Sequence, residues 1–585
     1  MRTIVEKSMS GRSWVVADDN NGNPCGGEDD LVRRILAHRG IAEGDMDKFL
    51  NPSVKEYMPD PFVLRDMRNA AKIISDAIMK NEKIAVYGDY DVDGITSTAI
   101  FVKYLRSIGA DVIWHLPTRE GEGYGLNKDA VQAIASDGAK LLITVDCGIS
   151  GGAEVDLAKS VGMRVVVTDH HSPDTQLPRA DAVVNPKRED DDSGLSYLAG
   201  VGVAFLTLVA VNRELKESGR TDLVEKIKSI NLLNFLDCVA LGTICDTMAL
   251  VGLNRAFVAT GLRVLGLRQN LGLRVLMDVA HVDKISVYTA GFVIGPRLNA
   301  AGRLDSATPA LDLLLTDNPL IAYDLANKLD AMNQERIGIQ NLIMTQATDM
   351  ADKYCADGRC SLFVCGDNWH GGVMGIIAGR LKDKYNLPAC VATRTDGMIN
   401  GSGRSVPGVN LGAIIHDALA HGIICEGGGH AAAAGFSLRA DQEHEFCEFL
   451  ERSVSDQLNG ARPATDIIVD MEMDAGGATM KLIKKLEQME PFGQANPEPT
   501  LVLCGAILNH AMVMGRGGEH LRGDFRTSAG TRLEFVGFNL VGTEIGNFLL
   551  DDANINTKMM VLGRLKENSY NGRTNAQFIL EDIAI

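Results

Sequence analysis

83-KIAVYGDYDVDGITSTAIFVKYLRSIG-109 changes its pattern twice along its length. KIAVYG is a short apolar run, GDYDVDG is turn chemistry, and from about Ile95 to Ile108 apolar residues recur at helical spacing. A strand feeding a helix through a tight turn opens a βαβ unit, whose ligands sit beyond the carboxyl end of the strand. Asp89, Asp91 and Asp93 stand at that end.

Working outward, the rhythm repeats. An amphipathic helix precedes the strand, and the strands DVIWHLP (111–117), KLLITVD (140–146) and RVVVTDHH (164–171) follow, the last two separated by the helical stretch GGAEVDLAKSVG. Short apolar strands alternating with helices predict an α/β domain built on a parallel, doubly wound sheet. Residues 195–318 read as mainly helical, and 318–354 as one long connecting helix with few breakers. Strand-helix-strand alternation restarts near Cys355, which predicts a second α/β domain. After about Gly460 short strands with Gly, Asn and Asp turns predict a small β-barrel, an OB-fold being the commonest at this length. The expected division is a lead-in over 1–62, a catalytic domain over 63–318, the connecting helix over 319–354, a second domain over 355–459 and the barrel over 460–585.

Composition narrows the function. At 585 residues the chain is too long for one core, and 45% hydrophobic with 23% charged residues is ordinary for a soluble protein. A net charge of −18 argues against coating nucleic acid by bulk electrostatics, though not against arginines lining one groove. The longest apolar run, LLNFLDCVALGTICDTMALVGL, is broken by Asp237 and Asp246 and no secretory leader is legible, so no membrane and a cytoplasmic location are expected. The eleven cysteines lack CxxC spacing and read as reduced thiols.

Four segments end in acids: VYGDYDVDG with Asp89, Asp91 and Asp93, ITVDCG with Asp146, VVTDHHS with Asp169, His170 and His171, and ALGTICD with Asp246. All four read as strand ends. In an extended segment alternate side chains share a face, which would aim Asp91 and Asp93 at one centre. Several carboxylates with an imidazole make an oxygen-rich site for two Mn²⁺ or Mg²⁺ ions, suited to in-line displacement at phosphorus. Asp89 and Asp169 are equally read as helix caps or solvated turns, the usual role of a lone Asp there.

The series GDYDVDG, VDCG, TDHH and LGTICD resembles motifs I to IV of the DHH phosphoesterase superfamily. VIGPRLNAAGRL, WHGGVMGIIAGRL, GSGRS, GGGHAAAAGFSL and PFGQANPEP resemble, in order and context, its bacterial branch of single-strand-specific 5′ to 3′ exonucleases, from about Asp30 to the C-terminus. The resemblance implies Asp91, Asp93, Asp146, His170 and Asp246 as metal ligands, with Asp146 bridging two ions. Tyr87 stands where the pyrophosphatase branch has a histidine ligand, and Asp89 is the candidate for that vacancy. His171 would face the scissile phosphate. The second domain resembles the DHHA1 module.

Phosphate contacts would come from Arg119, Arg297, Asn299, Arg303, Ser402, Arg404, Ser405 and His430. The GGGHAAAAGF segment is equally read as a Gly turn before a small-residue helix. The barrel would hold the strand by stacking and backbone charge. Aromatics are only 5% of the chain, and Phe525, Phe535 and Phe538 read equally well as core.

The implied activity is metal-dependent hydrolysis of single-stranded DNA to 5′-mononucleotides in recombination and repair. The implied partners are single-strand binding protein and a RecQ-type helicase, with the enzyme itself a monomer. Some relatives continue beyond the barrel, so recruitment through a further domain is not expected. Two rivals stand beside this reading: a phosphodiesterase of short oligoribonucleotides or cyclic dinucleotides, whose relatives lack the barrel, and a non-catalytic replication scaffold, which would lack ligands.

Overall fold

The structure is a computed structural model and describes residues 1–16, 28–118, 123, 125–174, 176–460, 466–515, 517–527, 530–570 and 573–585. The chain divides into two units: Met1–Met58 with Ala249–Ala259 and Thr465–Ile585, and Pro59–Met248 with Thr260–Ala464.

The larger unit begins with five parallel strands in the order Val112–His115, Ile84–Tyr87, Leu141–Val145, Arg164–Thr168, Ala182–Val184. Every residue of Ile84–Tyr87 and Leu141–Val145 is buried, as a sheet covered on both faces requires. Strand order reverses between those two strands, which opens a crevice beyond their carboxyl ends. The helix after the first strand spans Val92–Ile108, starting earlier than its apolar periodicity indicates, because the Asp91 carboxylate caps it by accepting from Gly94 N–H at 3.0 Å. Gly109, at φ 81°, ends it in the left-handed conformation.

Helices fill residues 200–315, and the long helix runs Pro319–Ala356, its first turn capped by the Asn318 side chain. Among the described residues no single helix is long and apolar enough to cross a membrane. The described cysteines are free thiols.

A second five-stranded sheet follows in the order Glu426–His430, Ala433–Arg439, Met398–Arg404, Ala389–Thr395, Leu362–Asp367. Only its last pair is parallel. The alanines after His430 do not form a helix: they lead into the return strand of a hairpin, and the three glycines lie within the outgoing strand.

In the smaller unit the strands Leu501–Met514, His520–Arg526, Arg532–Gly537, Arg573–Ala584 and Lys558–Tyr570 form a barrel closed by pairing of the first with the last. Its core includes Leu31, Val32, Ile35 and Leu36, so the N-terminal helix Glu28–His38 shares one apolar interior with the barrel. Phe525 and Phe535 are buried there with ring centroids 4.4 Å apart, and Phe538 is 53% exposed. The fully buried Arg255 donates to the carbonyls of Phe49, Met489, Glu490 and Pro491. Asp582 accepts from Ser8, Ser10 and Trp14 side chains, tying the first strands to the last.

Candidate active site

The acids collect in the crevice at the reversal of strand order. Asp89 and Asp91 follow Ile84–Tyr87, Asp146 follows Leu141–Val145, and Asp169, His170 and His171 follow Arg164–Thr168. Asp246 arrives differently from the sequence expectation: ALGTIC is the end of a buried helix, Leu236–Cys245, and not of a strand. A short apolar run serves either element, and only its neighbours decide.

Asp91 and Asp93 also differ from expectation. With the helix starting at Val92, Asp91 is its cap and Asp93 lies in its first turn, so both reach the acid group from a helix start and not from an extended face. Asp93 groups with His170 and Asp246, and Asp91 groups with Asp89 and Asp146, each set offering ligand atoms within 4.8 Å of one another. Asp146 belongs to a third such group with His170 and His171.

His170 carries the strongest signature of a cation. Its Nδ1 lies 3.1 Å from the Leu198 carbonyl oxygen. A carbonyl only accepts, so Nδ1 bears the proton and Nε2 presents a lone pair. That lone pair stands 3.2 Å from Asp146 Oδ1, 3.4 Å from Asp246 Oδ2 and 3.8 Å from Asp93 Oδ2. Burial, then the charge of His171, holds His170 down at about 3, so it stays neutral. His170 Nε2 and Asp146 Oδ1 are both buried without a hydrogen-bond partner. Buried acceptors aimed at one another repel, and a divalent cation between them removes the penalty. The donor set of carboxylates with one imidazole fits Mn²⁺ or Mg²⁺.

The surroundings agree. Burial, then the charge of Asp91, raises Asp93 to about 7; burial, then Asp93, raises Asp246 to about 8. Asp89 and Asp146 are raised as well, by burial first and neighbouring carboxylates second. Asp93 is partly balanced by N–H groups of Gly200 and Val201, at 2.7 and 2.9 Å, at the start of helix Gly200–Glu217. A Cβ on Gly200 would collide with the Asp146 carboxylate, so only glycine lets that helix end approach. Asp146 itself has φ 61°, a strained conformation for a non-glycine residue and one found at functional sites.

Asp169 is neither a solvated turn nor a simple cap. It is fully buried and accepts from the N–H groups of Ile149, His170 and His171 and from His171 Nδ1 at 2.8 Å. Burial alone would raise it, but these bonds, that of the His171 side chain first, hold it below its ordinary value. Burial alone would lower His171, but Asp169 lifts it to about 9 and keeps it an imidazolium near neutral pH. The Tyr87 hydroxyl donates to Gly125 O and accepts from Asn127.

The expected phosphate contacts divide. Arg119 lies outside the described residues. Ser402, Arg404 and His430 sit at paired positions across three strands, separated by Gly435 and Ala433, and so share one sheet face with a small-residue floor. Arg404 Nη1 donates to Ser402 Oγ at 3.0 Å, and a Cβ on Gly375 would meet Arg404 Nη2 at 2.8 Å and Ser402 Oγ at 3.2 Å. Arg303 donates to Gly372 O, joining the end of helix Gly295–Leu304 to the same region. Asn299 is half-buried on helix Gly295–Leu304. Two others are committed elsewhere: Arg297 is ion-paired with Asp330 of the long helix at 2.8 Å, and the buried Ser405 hydroxyl donates to Val409 O.

Three family models match in chain order: the DHH family N-terminal domain over 83–243, the DHHA1 domain over 358–456 and the RecJ OB domain over 469–582. The Single-stranded-DNA-specific exonuclease RecJ of Salmonella typhimurium is 35% identical over 94% of this chain and 95% of its own length. The chain belongs to the RecJ family. The RecJ of Escherichia coli is 34% identical over the same shares. Crystal structures of Thermus thermophilus RecJ in complex with Mn²⁺ and with Mg²⁺ superpose with TM-scores of 0.78 and 0.71 at 28% identity, covering 95% of this chain and 76% and 74% of theirs. The fold expected from the sequence, DHH then DHHA1 then OB-type barrel, is the RecJ fold.

What the sequence reading missed is the support around the candidate ligands: Asp169 as organiser, the Leu198 carbonyl that sets the tautomer of His170, and Gly200. The TDHH run and the glycine pair in LAGVGVAF were the available signals.

Proposed function

We propose that the chain hydrolyses single-stranded DNA from the 5′ end and releases 5′-mononucleotides, in DNA recombination and repair. The observation that carries this reading is the His170 lone pair facing three carboxylates, in a chain that has the RecJ fold. Asp93, His170 and Asp246 would hold one ion, Asp89 and Asp91 the other, and Asp146 both. Two such ions supply Lewis acidity at the phosphate and an activated water for in-line displacement.

The remaining steps belong to side chains. His171, an imidazolium oriented by Asp169, neutralises charge on the phosphate and delivers a proton to the leaving 3′ oxygen. The face carrying Ser402, Arg404 and His430 anchors a phosphate of the strand, guanidinium and hydroxyl donating together. Arg303 and Asn299 would line the path between that face and the acids. A closed path admits one strand and excludes a duplex, so specificity rests on shape rather than on base contacts. Residues 63–318 would thus do the chemistry and 355–459 the anchoring, with the barrel holding the strand.

A protein of this kind works in the cytoplasm as a monomer, receiving strand from single-strand binding protein and a RecQ-type helicase. A scaffold would lack ligands, and a small-substrate phosphodiesterase would lack the barrel. The test is Mn²⁺-dependent release of mononucleotide from 5′-labelled single strand by the wild type and Asp146→Ala. Early release of label by the wild type alone is expected. Early release from the 3′ label would reverse the polarity, and turnover of short RNA only would replace the substrate.

A further inference from the structure

Phe292 and Tyr288 are the most exposed of the large aromatic side chains among the described residues, at 71% and 66%. Large apolar rings left in water usually mark a binding surface when they cluster. These two do: their centroids are 5.4 Å apart with planes 22° from parallel, a stack whose outer faces meet solvent. Neither ring is used by the mechanism above.

Their place on the helix says what they serve. Val287–Thr289, the π-turn Ala290–Ile294 and Gly295–Leu304 form one continuous helical run, and its glycines face residues that adjoin the acids in sequence. A Cβ on Gly291 would meet Ile244 at 3.1 Å, one on Gly295 would collide with Cys245 Sγ, and one on Gly302 would meet Tyr90 O at 2.6 Å. Cys245 immediately precedes Asp246, and Tyr90 lies between Asp89 and Asp91. Phe292 directly follows Gly291, and both rings lie on the same short run as the glycines that touch the acid-bearing elements, with Ala290, Ile294 and Gly295 buried and the rings turned to solvent. The run that packs beside the acid-bearing elements thus also presents an aromatic stack to solvent. A π-turn at this point is itself a feature enriched at functional sites.

We propose that Tyr288 and Phe292 form a stacking platform for unpaired bases of the strand that occupies the acid crevice. This rests on the exonuclease reading above and adds a subsite to it. Bases of single-stranded DNA have free faces and those of a duplex do not, so the platform reinforces the choice of single strand without reading sequence.

The experiment measures binding in chelator, where nothing is cleaved, using a single strand carrying 2-aminopurine and a matched strand with abasic positions. The wild type should bind the base-carrying strand more tightly and quench its fluorescence. Phe292→Ala with Tyr288→Ala should weaken that binding about fivefold to a hundredfold and lose the preference over the abasic strand. Phe292→Trp should keep it. Both rings are exposed, so an unchanged thermal midpoint confirms that the variants fold.

Wild-type affinity and base preference in the double variant, with exonuclease activity intact, would overturn the platform and leave the exonuclease standing. Absence of both binding and cleavage in the wild type would remove the exonuclease reading and the platform with it. If the substitutions instead convert a dimer to a monomer in sedimentation, a second copy occupies the rings and the inference is wrong.

Discussion

Asp169 holds two histidines with one carboxylate. It accepts from the backbone of both and from the ring of His171, while His170 turns the other way to Leu198. Asp169→Asn keeps the shape and removes the charge. Loss of such a supporting partner costs roughly 10- to 100-fold in activity. His171 should then fall from about 9 toward its ordinary value, so the alkaline limb of the pH–rate profile moves to lower pH. A uniform loss with an unmoved limb would make Asp169 merely structural.

The acid group itself makes a second prediction. Asp93 and Asp246 titrate near 7 and 8 when folded, far above an unfolded carboxylate at about 3.9. Between those limits the folded chain keeps protons that the unfolded chain has released, so stability without a cation falls as pH rises. A cation needs the ionised carboxylates, so its contribution grows over the same range. Melting of chelated protein should therefore weaken from about pH 5 to about pH 8, while the rise in Tm on adding Mn²⁺ increases. A metal-induced rise that shrinks with pH would contradict a carboxylate site.

At the scale of elements, helix Gly200–Glu217 shows what can be read in advance and what cannot. Asp146 and TDHH stood out because acids recur at several segment ends, although any one of them alone would read as a cap or turn. Asp246 was legible as an acid yet assigned to the wrong element, since ALGTIC suits a strand or a buried helix equally. The role of Gly200 was hidden, because it depends on a carboxylate 54 positions away in a different strand connection. No local pattern carries that information. Gly200→Ala should cost about 1–3 kcal/mol by overpacking and displace Asp146, lowering activity more than Tm. Mn²⁺ titration by calorimetry should show weaker binding; an alanine variant with wild-type Mn²⁺ affinity would show that the helix end yields without moving Asp146.

At the scale of the molecule, the N-terminal segment and the barrel are one folded body although about 400 residues separate them in sequence. Leu31, Val32, Ile35 and Leu36 read as an ordinary amphipathic stripe, and nothing local says which core they enter. The structure pairs them with Met489, Leu503 and Phe578. Removing residues 465–585 alone strips the cover from that stripe and takes away three of the four carbonyls held by Arg255. Each fully buried apolar side chain so exposed forfeits about 1.5–3 kcal/mol. Such a truncation should express as aggregate, whereas deleting residues 1–58 together with 465–585 should recover soluble chain that still binds Mn²⁺ at the acids. The order of outcomes is the test: if the single truncation is the more soluble of the two in sedimentation, the N-terminal helix does not depend on the barrel for its core.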